Sequence, residues 1–118
     1  MKRNHRSLKA WQQAIQLVEH AYSLTAVFPR EELFGLSSQM RRAAVSVPAN
    51  IAEGAARSGS RELLRFLSIA TASLSELDTH VEIARRLGYL KDNALELEMD
   101  SVSALIMGLM ASVRRKLD

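Results

Sequence analysis

The chain has 118 residues, 47% of them hydrophobic and 25% charged, with a formal net charge of +3. That is room for one domain and one core, and the composition lies far from that of a disordered chain. No cysteine is present, which excludes disulfides, thiolate metal sites and thiol nucleophiles.

The start, MKRNHRSLKAW, is basic and lacks the apolar run of a signal peptide. No stretch approaches the length of uncharged apolar sequence that a membrane-spanning helix needs. A cytoplasmic protein with no membrane partner is expected. Charge is uneven along the chain: residues 1–65 carry ten Lys/Arg against five Asp/Glu, and residues 66–118 carry six against eight. A positive first half is compatible with a phosphate-rich partner but falls short of a dedicated basic arm.

The first helix is expected over about residues 7–27. Leu8, Trp11, Ile15, Val18 and Tyr22 recur at steps of three and four, and a second row, Ala14, Leu17, Ala21 and Leu24, lies beside it. Ser7 is the expected N-cap. The helix should end near VFPREE, because Pro29 disfavours helical geometry at Phe28.

The second helix, about 37–57, differs in kind. Its narrow seam, Met40, Ala44, Val47, Ile51 and Gly54, is flanked by alanines that let another backbone come close. Inside it stands the stretch SVPANIAEG, Ser46 to Gly54. Pro48 lacks the N–H that would bond the carbonyl of Ala44, so a helix built only for stability would not hold it there. Ser46 or Asn50 is expected to bond the carbonyls that the proline frees. Glu53 is expected to pair with Arg57 or Arg42, and Gly54 to permit a close helix contact.

The third helix, about 60–87, has the cleanest pattern. Leu63, Leu67, Ala70, Leu74, Leu77, Val81 and Ala84 alternate steps of four and three, with Phe66, Ile69, Ile83 and Leu87 widening the buried face. Ser60 should cap its start and Gly88 close it. The fourth, about 92–117, runs from an Asp92 cap through Leu95, Met99, Val102, Ile106, Leu109 and Val113. Arg114, Arg115 and Lys116 stand where a helix C-terminus favours cations. Nothing alternates with period two. The expected fold is all-α, one domain over 1–118, an antiparallel up-down-up-down four-helix bundle.

The run from LSSQMRRAAVSVPANIAEGAARSGS through RFLSIATASLSELDTHVEIARRLGYL, with the aromatic in LKAWQQAIQL, resembles the four-helix-bundle proteins encoded by intervening sequences in bacterial 23S ribosomal RNA genes. It is also similar to the accessory variability proteins of diversity-generating retroelements. The motif residues are Gln39, Arg42, Ala43, Ser46, Pro48, Asn50, Ile51, Ala52, Glu53 and Gly54, and the likeness spans about residues 8–90. The resemblance implies a four-helix bundle that assembles into a homopentamer. Its retroelement side implies association with a reverse transcriptase and with RNA or DNA through a basic surface, whereas the ribosomal-RNA family name records a genomic location and implies no biochemical role.

Catalytic and metal chemistry find no footing in the residues. Glu76 and His80 are four apart, where di-metal bundles use Glu-x-x-His in two copies, and His20 follows Glu19 directly. An exposed Glu76–His80 pair is the better account. No serine sits in a Gly-x-Ser-x-Gly elbow, and GAARSGS lacks the Gly-Lys-Ser/Thr ending of a phosphate-cradling loop. No catalytic residue, metal or cofactor is therefore assigned.

The arginines carry the functional expectation. Arg57, Arg61 and Arg65 stand at the corner between the second and third helices, with Arg41 and Arg42 several turns earlier and Lys2, Arg3, Arg6 and Lys9 at the start. They are the expected phosphate contacts of a non-catalytic oligomer that binds RNA or DNA by shape and charge. The alternative is a structural oligomer whose Ser46, Pro48, Asn50, Glu53 and Gly54 face packs against a neighbour, the arginines being solvated.

Overall fold

A computed structural model describes residues 1–117, and every regular element among them is helical. The helices are α1 (Lys9–Thr25), α2 (Leu36–Ala56), α3 (Ser60–Arg86) and α4 (Ala94–Leu117), with short 3-10 turns at Asn4–Ser7 and Arg30–Glu32. Each packs on the next in the chain and α4 returns to α1, so α1 and α3, like α2 and α4, stand diagonally across the core. The molecule measures 48 × 27 × 19 Å. No helix is long and apolar enough to cross a membrane.

The core follows the expected seams of three helices. Met40, Ala44, Val47, Ile51 and Gly54 of α2 are buried, as are Leu67, Ala70, Leu74, Leu77, Val81 and Ala84 of α3 and Leu95, Met99, Val102, Ile106 and Val113 of α4. In α1 the order of the two rows reverses. Ala14, Leu17 and Ala21 are buried, whereas Ile15 and Tyr22 lie open and Trp11 and Val18 sit at the edge. Small side chains let α1 close on α2, and the bulky row is left at the rim. Ile69, Ile83 and Leu87, expected to widen the buried face of α3, are exposed instead.

Helix ends show which local signals hold. Gly88 takes φ +84°; Tyr89 N–H bonds the carbonyl of Ala84 at 2.9 Å and Gly88 N–H that of Arg85 at 3.0 Å, the paired closure expected of a glycine stop. Asp92 accepts the backbone N–H of Ala94 at 3.1 Å. The two serine caps are not formed. Ser7 lies in the first 3-10 turn, where its hydroxyl donates to the Asn4 carbonyl at 3.0 Å, and Leu8 holds the cap position of α1. Gly59, at φ +94°, precedes α3, so Ser60 is already helical. The positive φ is a conformation that serine would adopt only under strain, which moves the cap position to the glycine.

α2 runs unbroken through Pro48, which is buried. The expected repair by Asn50 lands two residues away from the carbonyl deprived of its donor. Asn50 Nδ2 donates to the Ser46 carbonyl at 2.8 Å and to Ser46 Oγ at 2.9 Å, whereas the proline's missing N–H concerns Ala44. Ser46 Oγ lies 2.7 Å from Ser73 Oγ of α3, and Ser73 donates to the Ile69 carbonyl at 3.0 Å. With the Ser73 proton so placed, Ser46 is the donor between the two hydroxyls. The motif thus ties α2 to α3.

Candidate nucleic-acid interface

The corner between α2 and α3 is built around Phe66, a buried ring at 6% exposure. The guanidinium carbons of Arg57 and Arg65 stand 5.2 and 5.1 Å from its centroid, both within cation–π range. Each also has a carboxylate neighbour, Glu53 at 3.2 Å from Arg57 and Glu62 at 3.7 Å from Arg65. The expected Glu53–Arg57 pair therefore forms, and Arg42 takes no part in it. All four side chains in these pairs are about half exposed, so each pair contributes at most about 1 kcal/mol and yields readily to a phosphate. Arg61 is exposed, with no ion-pair partner among the described residues.

The N-terminal segment also reaches this end. Lys2, Asn4 and His5 line a hollow together with Ala55, Ala56 and Arg57. The segment is fastened by Gln12, whose amide donates to the Arg6 carbonyl at 2.8 Å, and by the His5 ring on Trp11 with centroids 5.1 Å apart. In α4, the stretch Met99–Ser103 lies beside Thr71–Thr79 of α3, and Arg114, Arg115 and Lys116 are exposed in the last turn. Lys2, Arg57, Arg61 and Arg65 form one basic end.

Arg41 and Arg42 do not belong to it. Sixteen residues along α2 from Arg57 place Arg41 about 24 Å away. Arg41 is engaged there: Nε donates to Thr25 Oγ1 at 2.8 Å, and its guanidinium carbon lies 4.5 Å from the Tyr22 ring centroid. It holds the last turn of α1, where a cation complements the helix dipole. Arg42 lies exposed on a groove shared with Tyr22, Phe34 and Val45. The residue that sequence reading passed over is Phe66, taken only for core.

The motif serine, proline, asparagine and glycine all make contacts within the chain. Pro48 and Gly54 are buried, and Ser46 and Asn50 are spent on the bonds within α2 and to Ser73. A Cβ at Gly54 would stand 2.8 Å from Phe66 Cβ and 3.1 Å from Leu63 Cδ1. Gly54 thus lets α3 come close enough to seat Phe66 at the corner. Glu76 and His80 pair at 3.2 Å as spaced, but the imidazole is buried at 8% exposure, against the expectation of an exposed pair. His20 bridges to Glu98 of α4 at 2.6 Å. No group of three His, Asp or Glu among the described residues could hold a metal ion.

The sequence model of the 23S rRNA-intervening sequence protein family matches residues 6–108. The chain belongs to that family. The match includes all of α1, α2 and α3 and the first fifteen residues of α4, further than the motif blocks reach. It takes in Arg57, Phe66, Arg61 and Arg65 and stops before Arg114. No curated protein matches the chain.

Proposed function

We propose that this family member is a non-catalytic, cytoplasmic homo-oligomer that holds the phosphate backbone of RNA or DNA on the basic end of the bundle. The observation that carries the proposal is the meeting of the N-terminal segment with the α2–α3 corner, around two arginines steadied on one buried ring. Arg57, Arg61 and Arg65 are the contacts assigned, with Lys2 and the α4 terminus beside them. Backbone binding by shape and charge suits a surface that presents guanidinium groups and little exposed aromatic area for base stacking.

An antiparallel up-down-up-down course belongs to the same reading. It is supported by Arg41 of early α2 meeting Thr25 of late α1, by Gly54 meeting Phe66, and by Arg85 of late α3 pairing with Glu96 of early α4. That course is what sends the N-terminus, the α2–α3 corner and the α4 terminus to one end. The homopentamer and a reverse transcriptase as protein partner rest on the motif's likeness to retroelement accessory proteins. In a ring, copies of the basic end would add their phosphate contacts, and each contact releases a counterion.

The test is fluorescence anisotropy of a structured RNA over a salt series, with the wild-type chain and an Arg61→Glu, Arg65→Glu variant. The expected result is affinity falling steeply with salt for the wild type and no binding by a variant that keeps its helical spectrum. Absence of binding at low salt, or equal binding by the variant, overturns the assignment.

A further inference from the structure

The bundle leaves two apolar surfaces uncovered on opposite sides. On one side, Tyr22 of α1, Phe34 of the connection and Val45 of α2 line a groove of about 580 Å³ with Arg42 on its wall. Phe34 is 93% exposed, and nothing in the fold uses it. On the other side, α4 is apolar beyond its core seam. Leu97, Ala104, Met107 and Gly108 fall at helical spacing on its outer face, all exposed, Met107 at 62%. A Cβ at Gly108 would meet no atom within 4 Å, so packing inside the chain does not explain the glycine. A mid-helix glycine carries a propensity cost relative to alanine, and close approach by another backbone is a reason to keep one.

We infer that a second copy of this chain seats its α4 ridge in the α1–α2 groove, a helix-in-groove contact between unlike surfaces. The inference rests on the homo-oligomer proposed above and names the faces that would meet. Shape supports it, a groove facing a helical ridge on which Ala104 and Gly108 leave room for close approach. Charge supports it too. Arg42 on the groove and Asp100 on the ridge, three residues after Leu97, are both exposed and have no ion-pair partner among the described residues. The groove lies where α1 meets α2, and α4 stands diagonally from α2. One copy can therefore offer its ridge to one neighbour and its groove to another, the heterologous arrangement that builds rings. Arg42 is then an assembly contact rather than a phosphate contact.

The test uses the full chain with Phe34→Glu and Met107→Glu, read as mass by sedimentation, with circular dichroism to show that each variant stays helical. Both side chains are exposed, so folding does not depend on them. The expected result is an assembled wild type, each variant alone at monomer mass, and an equimolar mixture at the mass of a 1:1 pair. In that pair the Met107→Glu copy supplies the intact groove and the Phe34→Glu copy the intact ridge. A wild-type assembly that survives either substitution, or two monomeric variants that fail to pair, overturns the docking while the oligomer stands. A wild type monomeric at every concentration overturns both. As a second readout, Asp100→Arg should break the assembly and Arg42→Glu in the same chain should restore it; failure to restore removes the assigned charge pair.

Discussion

A methyl group added at Gly54 of α2 would stand 2.8 Å from Cβ of Phe66 in α3, closer than two such atoms rest in proteins. The conflict is with the stem of the phenylalanine, which is fixed to its backbone, so the helices themselves would have to part. Alanine gains about 1 kcal/mol of helix propensity over glycine, whereas overpacking costs about 1–3 kcal/mol. Gly54→Ala should therefore destabilise by about 1 kcal/mol net, seen in the denaturant midpoint. Gly108→Ala, with open space around it, should move the folded chain the other way by up to about 1 kcal/mol.

The hydroxyl relay predicts coupling. Asn50 donates to Ser46, Ser46 to Ser73, and Ser73 to the Ile69 carbonyl. Ser46→Ala leaves an amide proton and a hydroxyl acceptor without partners between the helices, at a cost of about 1–2 kcal/mol. Ser73→Ala should cost a similar amount. In the double variant the two losses share one bond, so the cycle should show a coupling of about 0.5 kcal/mol or more. Simple additivity would mean that water replaces the relay in solution.

How far the sequence discloses this arrangement depends on how local each feature is. The α3 seam is legible because leucines at steps of three and four leave one face to bury, and Gly88 announces its stop. The α1 face is not, because two adjacent rows are equally apolar. Packing chooses the row in which Ala14 and Ala21 let α1 come close while Leu17 fills the core between them, which periodicity does not weigh. Ser7 and Ser60 look like caps, but the chain enters those helices through Leu8 and Gly59. Arg57, Arg61 and Arg65 form a visible cluster since two helices join there. Arg114–Lys116 join them only under the antiparallel course proposed above, a relation spanning some fifty residues that no local pattern encodes.

At the opposite end of the molecule, Tyr89 donates its hydroxyl to Glu32 at 2.9 Å, fastening the turn after α3 to the α1–α2 connection. That bond, then burial, then the charges of Glu32 and Glu31, raise the phenol above its ordinary value of about 10. A raised folded value means that the neutral phenol is the favoured form. Its contribution to stability is whole below about pH 10 and lost as pH climbs through the raised value. Tyr89→Phe should lower the unfolding temperature at neutral pH and remove that part of the alkaline loss. Ultraviolet titration of the wild type checks the sign, since a phenol ionising at the ordinary value would mean that Glu32 does not hold it.

Two arginines with the same charge should fail in different ways. Arg61 is exposed at the basic end and has no ion-pair partner among the described residues. Arg61→Ala should leave the unfolding midpoint within about 0.5 kcal/mol. It should also flatten the logarithmic salt dependence of nucleic-acid affinity by about 0.7–0.9, the share of one phosphate. Arg41 is half-buried, bonded to Thr25 and placed over Tyr22 at the end of α1. Arg41→Ala should cost about 1 kcal/mol of stability through the lost bond and helix-end charge. It should leave the salt slope unchanged, because its guanidinium lies about 24 Å along α2 from the corner. Denaturation and salt-dependent anisotropy on the same two variants separate the cases. A salt slope altered by Arg41→Ala and untouched by Arg61→Ala would move the phosphate surface to the other end of the bundle.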